Sequence, residues 1–404
     1  MERAELRKWL LASTPARARG EFVFLQDPSA TEEESGKLEQ IWESGVSASR
    51  EKAGDAFLDA GRGWICVPTG GSSGRTKWAR HDEASISAAV SGFCLHYGLQ
   101  RVNAVSVLPL YHISGLMAQL RCLATGGTYV QWDWRNLAAG DWPALTTSDE
   151  GWAISLVPTQ LQRLLAIGGG VEFLRRFRFI FIGGAAAWPQ LLDAATEKHL
   201  ALNLSYGMTE TAAMVAAQRE GAFALGERDS GTILPHARVR IVREDGQTSS
   251  AGEIGQVRIA GANLFRGYFP DTRTEAEFAP EDLGRLDAAG RLTILGRRDG
   301  MIITGGEKVW PAEVESALRE TGLFSDVAVL GLSDQRWGEV VTVFYPAPDG
   351  SVDLERVHVL LEGKMSPYKW PKRIIPIDPW PRNDRGKVNR VALTQFAQNE
   401  DADH

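Results

Sequence analysis

Hydrophobic and polar positions form two alternating patterns along the first three quarters of the chain. Short aliphatic or β-branched runs at residues 104–110, 152–158 and 177–184 have the length of buried strands. Segments with the helical spacing of apolar residues follow at 159–168 and 188–200. This order predicts βα units around a buried parallel sheet, with ligands bound at the carboxyl ends of its strands.

The pattern changes twice towards the end of the chain. Between residues 221 and 303, closely spaced strands and turn residues predict a small β-rich subdomain. After Arg297 come a glycine-rich turn, a helix that starts with proline, two strands and a polar tail. The predicted fold is therefore α/β, with a large N-terminal domain of layered βα subdomains plus the small β-rich subdomain (1–297). A small mobile C-terminal α+β domain (300–404) follows.

Composition narrows the possible partners. Hydrophobic residues make up 44% and charged residues 24% of the 404 residues, as in ordinary globular proteins. The net charge of -7 argues against binding to nucleic acid, and no apolar stretch is long enough for stable membrane insertion. Three widely separated cysteines favour reduced thiols and a cytoplasmic location. We therefore expect a small-molecule substrate.

The segment TGGSSGRTK at residues 69–77 is the strongest local signal for chemistry. Its glycines allow close backbone approach, its hydroxyls and amides can surround phosphate oxygens, and Arg75 and Lys77 add positive charge. The spacing is not that of a Walker A loop. Taken alone, the segment is also compatible with a solvent-exposed hairpin. The candidate phosphate-binding residues are Thr69, Gly70, Gly71, Ser72, Ser73, Gly74 and Lys77.

A second segment, SYGMTET at residues 205–211, combines groups suited to a magnesium–nucleotide complex. Glu210 offers the oxygen ligand that Mg²⁺ prefers, and Thr209 can donate to a phosphate. Tyr206 can stack on a base. An ordinary helix N-cap explains the same residues, and the two explanations are compatible.

Six blocks in a fixed order resemble the adenylate-forming superfamily of acyl-CoA synthetases, firefly luciferases and nonribosomal-peptide adenylation domains. Two of the blocks are the segments described above. The other four are LPLYHISGL, FIGGAAA, a long block that runs from EDLGRLD to WPAEVE, and PRNDRGKVNR. The blocks span most of the chain from Thr69 onward. Agreement of six blocks in order is far more specific than any one motif.

The resemblance implies roles for the nucleotide-binding residues. The 69–77 loop resembles the family's mobile phosphate-binding loop, and Thr209 would contact the α-phosphate. Glu210 would be the magnesium ligand. The remaining positions that the resemblance assigns to adenine and ribose are Gly184, Ala185, Ala186, Tyr206, Gly207, Met208, Asp282 and Arg297.

The resemblance also implies a two-step reaction with ATP, Mg²⁺ and coenzyme A. His112 matches the gate between acid and nucleotide, and Lys387 matches the lysine that bridges the acid and the α-phosphate. Magnesium and Lys387 would neutralise the like charges that meet when a carboxylate attacks ATP. The C-terminal domain would then rotate about Asp299, and the ITGGEKV turn would help form the tunnel for the thiol.

Within the superfamily, the chain resembles the short ligases that join 2-succinylbenzoate to coenzyme A in menaquinone and phylloquinone biosynthesis. Ser114, Arg121 and Thr211 are the candidates for binding this diacid, with Arg121 for its second carboxylate. Three alternatives stay open: another fatty or aryl acid:CoA ligase, a free-standing amino-acid adenylation enzyme, and a non-catalytic nucleotide-binding protein. A homodimer is compatible with the sequence.

Overall fold

The computed structural model describes residues 2–28, 36, 39–40, 42–43, 63–70, 76–146, 150–382 and 387–402. A small sheet opens the described chain. Its strands, in the order β1-β2-β3-β4, follow helix α1 (Arg3–Ser13). They are β1 (Ala16–Arg19), β2 (Phe22–Leu25), β3 (Ile65–Gly70) and β4 (Thr76–His81). Strands β3 and β4 are antiparallel and pair Thr69 with Lys77, so the two ends of the predicted phosphate loop lie side by side.

The central sheet has seven strands in the order β11-β10-β9-β8-β7-β5-β6. Strands β5 to β9 are parallel to their neighbours, while β10 and β11 are antiparallel additions. The strands are β5 (Ala104–Ser106), β6 (Tyr129–Gln131), β7 (Ala153–Leu156), β8 (Phe179–Ile182), β9 (Leu202–Met208), β10 (Ala213–Ala217) and β11 (Thr232–Ile233). Their buried side chains contribute to two separate hydrophobic clusters, as expected for a sheet covered on both faces.

Six helices accompany this sheet, and local sequence explains where several of them begin and end. They are α2 (Glu83–Tyr97), α3 (Ile113–Thr125), α4 (Trp134–Ala138), α5 (Pro158–Ala166), α6 (Gly170–Leu174) and α7 (Pro189–Glu197). Asp82 and Ser85 form a capping box that starts α2, and Gly98 ends it in a left-handed conformation. Helices α5 and α7 begin with proline, whose missing N–H costs nothing there.

Two further sheets complete the described chain. The first has the order β12-β13-β15-β16, with β14 paired to β13. Its strands are β12 (Ala237–Val242), β13 (Gly255–Gly261), β14 (Glu277–Phe278), β15 (Asp282–Leu286) and β16 (Leu292–Arg297). The second has the order β18-β17-β20-β19, with β21 paired to β20. Its strands are β17 (Ile302–Thr304), β18 (Glu307–Val309), β19 (Ala328–Asp334), β20 (Gly338–Pro346) and β21 (Arg373–Ile377).

Three helices pack on or beside the last sheet: α8 (Pro311–Glu320), α9 (Leu354–Leu361) and α10 (Arg390–Ala402). Buried apolar residues of α8 and α9, among them Val314, Leu318 and Val357, share one hydrophobic cluster with the sheet. The predicted fold class is confirmed: a large α/β part with a β-rich sheet precedes a smaller α+β part. The boundary between residues 297 and 300 stays a prediction. Among the described helices, none has the length and apolarity needed to cross a bilayer.

Candidate active site

Two loops at the carboxyl ends of β8 and β9 form the centre of the site. The loop after β8 exposes Gly184, Ala185 and Ala186, the predicted adenine-binding residues. Gly184 has a φ of +78°, a backbone conformation that favours glycine. The Ser205 hydroxyl of β9 donates to the carbonyl oxygen of Ile182 at 3.2 Å, which ties the two strand ends together. The two segments predicted to hold the nucleotide are therefore neighbours.

Tyr206, Asp282 and Arg297 meet although the sequence separates them widely. The Tyr206 hydroxyl donates to Asp282 Oδ2 at 2.5 Å, and Asp282 lies opposite Arg297 across the β15–β16 pair. Burial, with the Asp282 carboxylate beside it, raises the pKa of Tyr206 well above its usual value, so the phenol stays protonated. This brings the predicted base-stacking residue next to the predicted ribose pair.

The backbone around Gly207 needs a glycine because another strand passes very close. A Cβ atom at this position would lie 1.9 Å from the carbonyl oxygen of Ala213. Strands β9 and β10 pair Met208 with Ala213 directly beside it. The conformation of the nucleotide-binding block is thus set by strand pairing across the end of the sheet.

Residues Thr209–Thr211 form a buried 3₁₀ turn that is held from several sides. The Thr211 hydroxyl lies 3.0 Å from the backbone N–H of Met208 and 2.7 Å from the carbonyl oxygen of Ala213. Asn263 donates to the carbonyl oxygen of Thr211 at 2.8 Å. Thr211 therefore supports the turn, and its predicted contact with the acid stays a prediction.

His81 is a further support of this turn that the sequence analysis did not identify. Its Nε2 lies 2.7 Å from the carbonyl oxygen of Thr209, so Nε2 carries the proton, because a carbonyl can only accept. Burial lowers the pKa of His81 to about 4, although the bond to Thr209 opposes this shift. A neutral imidazole at the end of β4 thus connects the phosphate-loop hairpin to the Thr209 backbone.

Glu210, the predicted magnesium ligand, is buried and held at both its backbone and its side chain. Its carbonyl oxygen accepts from the N–H of Phe265 at 2.8 Å, and its Oε1 accepts from the Tyr268 hydroxyl at 2.7 Å. Lys77 Nζ lies 5.0 Å from the centre of the Tyr268 ring. The sequence analysis missed Tyr268, whose only local signal is a Gly-Tyr pair after Arg266.

The donor set at Glu210 fits magnesium bound as a nucleotide complex. A single carboxylate is what such a metal needs from a protein, since phosphates and water supply its other ligands. No cluster of three metal-ligating side chains occurs within the described part of the chain. Thr209 precedes Glu210 in the same buried 3₁₀ turn. Both groups predicted to contact the nucleotide phosphates are thus adjacent.

Lys387, from near the end of the chain, reaches the loop that is predicted to hold adenine. Its Nζ donates a hydrogen bond to the carbonyl oxygen of Gly184. Two other contacts join the same parts of the molecule: Gln190 Nε2 donates to Glu320 Oε1 at 2.7 Å, and the Arg319 guanidinium lies 4.9 Å from the Trp188 ring centre. The C-terminal part is therefore docked with its lysine at the carboxyl end of β8 in the central sheet.

We expect Gln190→Glu to disfavour this docked arrangement. A second carboxylate would face Glu320 at hydrogen-bond distance, and like charges this close repel by about 1 kcal/mol even in water, so the adenylation rate should fall about fivefold. Conversion of a supplied acyl-adenylate to thioester should not slow. Rapid-quench measurement of each half-reaction checks this, with Gln190→Ala as the control. Failure of the Gln190→Glu, Glu320→Gln double variant to recover would contradict the explanation.

Helix α3 and its N-cap carry His112, the predicted gate, and Ser114 and Arg121, two of the three residues predicted to bind the acid. His112 occupies the N-cap position and is buried, and Ser114 is half-buried in the first turn. Arg121 lies seven residues beyond Ser114, which is two helical turns or about 10.5 Å along the same face. Its guanidinium carbon lies 4.0 Å from the centre of the Phe93 ring.

Arg121 is a buried cation without a counter-charge in the described part of the protein. It is 4% exposed, and its guanidinium Nε is buried without a hydrogen-bond partner among the described residues. Burial lowers the pKa of Arg121 to about 10, so it remains positively charged at neutral pH. A buried, unpaired charge is costly unless an anion joins it. The geometry is thus compatible with the predicted binding of a carboxylate.

Several predicted residues lie partly or wholly outside this description. Gly71, Ser72, Ser73 and Gly74 are outside the described residues, while Thr69, Gly70 and Lys77 flank them on β3 and β4. Met208 ends β9 next to Gly207. The backbone of Asp299 lies in a short 3₁₀ turn, Arg298–Gly300, directly after β16. The roles predicted for these residues stay predictions.

The sequence and the fold place this chain among known proteins. The AMP-binding enzyme family matches residues 16–269, and its C-terminal domain matches residues 313–387. The chain belongs to the AMP-binding enzyme family. The predicted recognition of the adenylate-forming superfamily is thereby confirmed.

Individual relatives are acid:CoA ligases. The chain is 31% identical to an indoleacetate–CoA ligase of Aromatoleum aromaticum, over 82% of this chain and 66% of that protein. It is also 31% identical to a 2-succinylbenzoate–CoA ligase of a Geobacillus species, over 82% of this chain and 69% of that protein. The chain thus spans about two thirds of the length of these relatives.

Solved structures agree with this assignment. The o-succinylbenzoate CoA synthetase MenE of Bacillus subtilis, in complex with its acyl-adenylate OSB-AMP, has a TM-score of 0.70 and 27% identity. This match covers 81% of the present chain and 68% of MenE. The same enzyme in complex with ATP and magnesium has a TM-score of 0.69. These matches support the predicted enzyme class, an AMP-forming acid:CoA ligase with ATP and Mg²⁺.

Proposed function

We propose that this protein is an ATP-dependent acid:CoA ligase that forms an acyl-adenylate and then a thioester, with 2-succinylbenzoate as its acid. The observation that carries the proposal is the contact of Lys387 with Gly184, because it brings the predicted catalytic lysine to the loop predicted to hold adenine. The names of the Geobacillus and Bacillus subtilis relatives support the acid and a place in menaquinone biosynthesis.

In the first half-reaction, the acid's carboxylate attacks the α-phosphate of ATP and pyrophosphate leaves. Lys387 neutralises charge on the transferring group, and the Thr209 hydroxyl donates to it. Glu210 holds the magnesium–nucleotide complex, in which the metal supplies positive charge to the phosphates. Asp282 accepts hydrogen bonds from the ribose, and Tyr206 offers its ring to the base. The chain uses no covalent nucleophile of its own, so positioning and charge supply the catalysis.

In the second half-reaction, the thiol of coenzyme A attacks the acyl carbon and AMP leaves. The bond from Lys387 to Gly184 must break when the C-terminal part turns about Asp299. The β17–β18 turn, Gly305–Gly306, then moves to the position where it helps to form the thiol tunnel. One site can thus carry out two reactions in sequence because the C-terminal part changes its position between them.

Arg121 is the residue we propose for the second carboxylate of the acid. Replacing Arg121 with Leu removes the buried charge but keeps most of the apolar contact with Phe93. A lost charge-assisted hydrogen bond is worth about 1.5–3 kcal/mol, so kcat/KM for 2-succinylbenzoate should fall about 10-fold to 100-fold. The KM for ATP and the rate with benzoate should not change. Steady-state kinetics with both acids measures this difference.

Stability provides an independent check on Arg121. Because the side chain is a buried cation without a described counter-charge, Arg121→Leu should not lower the free energy of unfolding. Urea unfolding of the variant and the wild-type protein tests this. An equal loss of activity towards the diacid and benzoate, or a loss of ATP affinity, would contradict the assignment.

ATP–pyrophosphate exchange with a panel of acids tests the proposed substrate. The panel contains 2-succinylbenzoate, indole-3-acetate, benzoate, a medium-chain fatty acid and amino acids. Exchange that depends on 2-succinylbenzoate above all others supports the proposal. The indoleacetate–CoA ligase relative favours a second candidate, an aryl acid:CoA ligase, which faster exchange with indole-3-acetate would identify. Exchange with none of them would contradict the proposed activity.

Two further expectations belong to the same proposal. A cytoplasmic location is supported by Cys66, Cys94 and Cys122, which are free thiols. The homodimer stays a prediction, which sedimentation equilibrium tests.

A further inference from the structure

Tyr268 connects the candidate metal ligand with the phosphate-loop hairpin. Its hydroxyl donates to Glu210 Oε1 at 2.7 Å, and Lys77 Nζ lies 5.0 Å from the centre of its ring. A hydroxyl proton that is shared with one carboxylate oxygen leaves the other oxygen, Oε2, for a cation. The same side chain therefore contacts both Glu210, the candidate metal ligand, and Lys77, a predicted phosphate-binding residue.

The position of Tyr268 is determined by its backbone and by neighbouring rings. Tyr268 forms a bridge with Ala79 of β4, and its ring packs 4.9 Å from that of Phe265. Phe265 itself donates its N–H to the carbonyl oxygen of Glu210. One short segment thus holds Glu210 at two points, which limits the rotamers of the carboxylate.

We propose that Tyr268 is a positioning residue for the metal–nucleotide complex: its hydroxyl orients the Glu210 carboxylate and its ring face holds the Lys77 ammonium near the phosphate loop. This inference rests on the proposed function of Glu210. A cation above an aromatic face is attracted by the ring quadrupole, so the ring favours one placement of the flexible lysine side chain. The hydroxyl and the ring consequently act on two different groups.

Substitutions at Tyr268 can separate the contribution of the hydroxyl from that of the ring. Tyr268→Phe removes only the hydroxyl, whereas Tyr268→Leu also removes the ring. Binding of Mn²⁺ to the enzyme with a non-hydrolysable ATP analogue, followed by electron paramagnetic resonance, reports on the metal without any acid. Loss of a group that orients a metal ligand weakens metal binding about tenfold, and we expect this for Tyr268→Phe. Tyr268→Leu should in addition weaken binding of the analogue in the absence of metal.

Tyr345→Phe is the matched control, because its hydroxyl accepts a hydrogen bond from Val352 in the C-terminal part, away from Glu210. A double-mutant cycle with Glu210→Gln tests the route of the effect: once Glu210 is changed, removing the hydroxyl should cost little more. Metal binding by Tyr268→Phe equal to that of the wild type would overturn the proposal. If Tyr268→Phe weakened binding of the analogue equally with and without metal, the proposal would also be overturned, since this would indicate a general structural role.

The test of Tyr268 does not depend on which acid the enzyme activates. If the wild-type protein exchanges pyrophosphate with no acid of the panel but binds the metal–nucleotide complex, the proposed function fails while the role of Tyr268 is still tested. If Tyr268→Phe behaves like the wild type while exchange proceeds normally, only the role of Tyr268 fails.

Discussion

Lys387→Ala is expected to slow formation of the acyl-adenylate about 100-fold to 1000-fold, the usual cost of removing one preorganised charge-stabilising donor. The attacking carboxylate and the α-phosphate are both negative, so an ammonium group that bridges them acts mainly in the transition state. Its contact with Gly184 places Lys387 at the loop that is predicted to hold the nucleotide. The KM for ATP should change much less than kcat, because the loss falls on the transition state.

Single-turnover measurements separate the two half-reactions of the Lys387→Ala variant. Adenylate formation from acid and ATP should be slow, whereas thioester formation from a supplied acyl-adenylate and coenzyme A should proceed at the wild-type rate. Lys369→Ala is a suitable control, because this lysine forms an ion pair with Glu313 within the C-terminal part. If Lys387→Ala adenylated the acid at full speed, the proposed mechanism would be wrong.

Glu210→Gln is expected to reduce the adenylation rate on the order of 100-fold through loss of the charge that holds the metal. Glutamine has the same shape, and its amide oxygen can still accept the hydrogen bond from Tyr268. The fold should therefore persist, and circular dichroism with thermal unfolding measures this. The loss should appear as a higher magnesium concentration for half-maximal activity and a lower maximum rate.

The nucleotide itself provides the control for Glu210→Gln. Binding of ATP in the presence of a chelator should match that of the wild type, because Glu210 acts through the metal. Glu172→Gln, an exposed residue of α6, carries the same chemical change away from the site. A normal magnesium dependence in Glu210→Gln would refute the assignment of Glu210 as the metal ligand.

The sequence predicted the framework of the fold because strand and helix patterns are local. The runs at 152–158 and 177–184 contain the strands Ala153–Leu156 and Phe179–Ile182. Apolar side chains at these positions are buried when the sheet is covered on both faces, so the residue pattern and the length of the two runs were sufficient to predict the strands. The predicted helix after a Trp-Pro pair likewise begins at Pro311. The order of the strands within each sheet was not predicted, since it depends on contacts between distant segments.

The candidate site was only partly predictable, because it too depends on contacts between segments that are distant in the sequence. Glu210 was identified because its block combines a carboxylate and hydroxyls within a few residues. Tyr268, 58 residues away, and His81, 128 residues from Thr209, support that block through tertiary contacts. A single sequence contains no pattern that pairs residues so far apart. Thr211 was proposed from its position in the block, whereas in the structure its hydroxyl bonds to the backbone of Met208 and Ala213, on either side of the turn.

The sequence by itself determined the class of architecture, the order of the motifs and the charged groups available for chemistry, because these follow from local periodicity and residue type. Only the tertiary structure decided which groups meet: Lys387 with Gly184, Tyr206 with Asp282, and Tyr268 with Glu210. The physical reason is that such contacts arise from packing between sheets and helices, and the energies that select them are spread over the whole core.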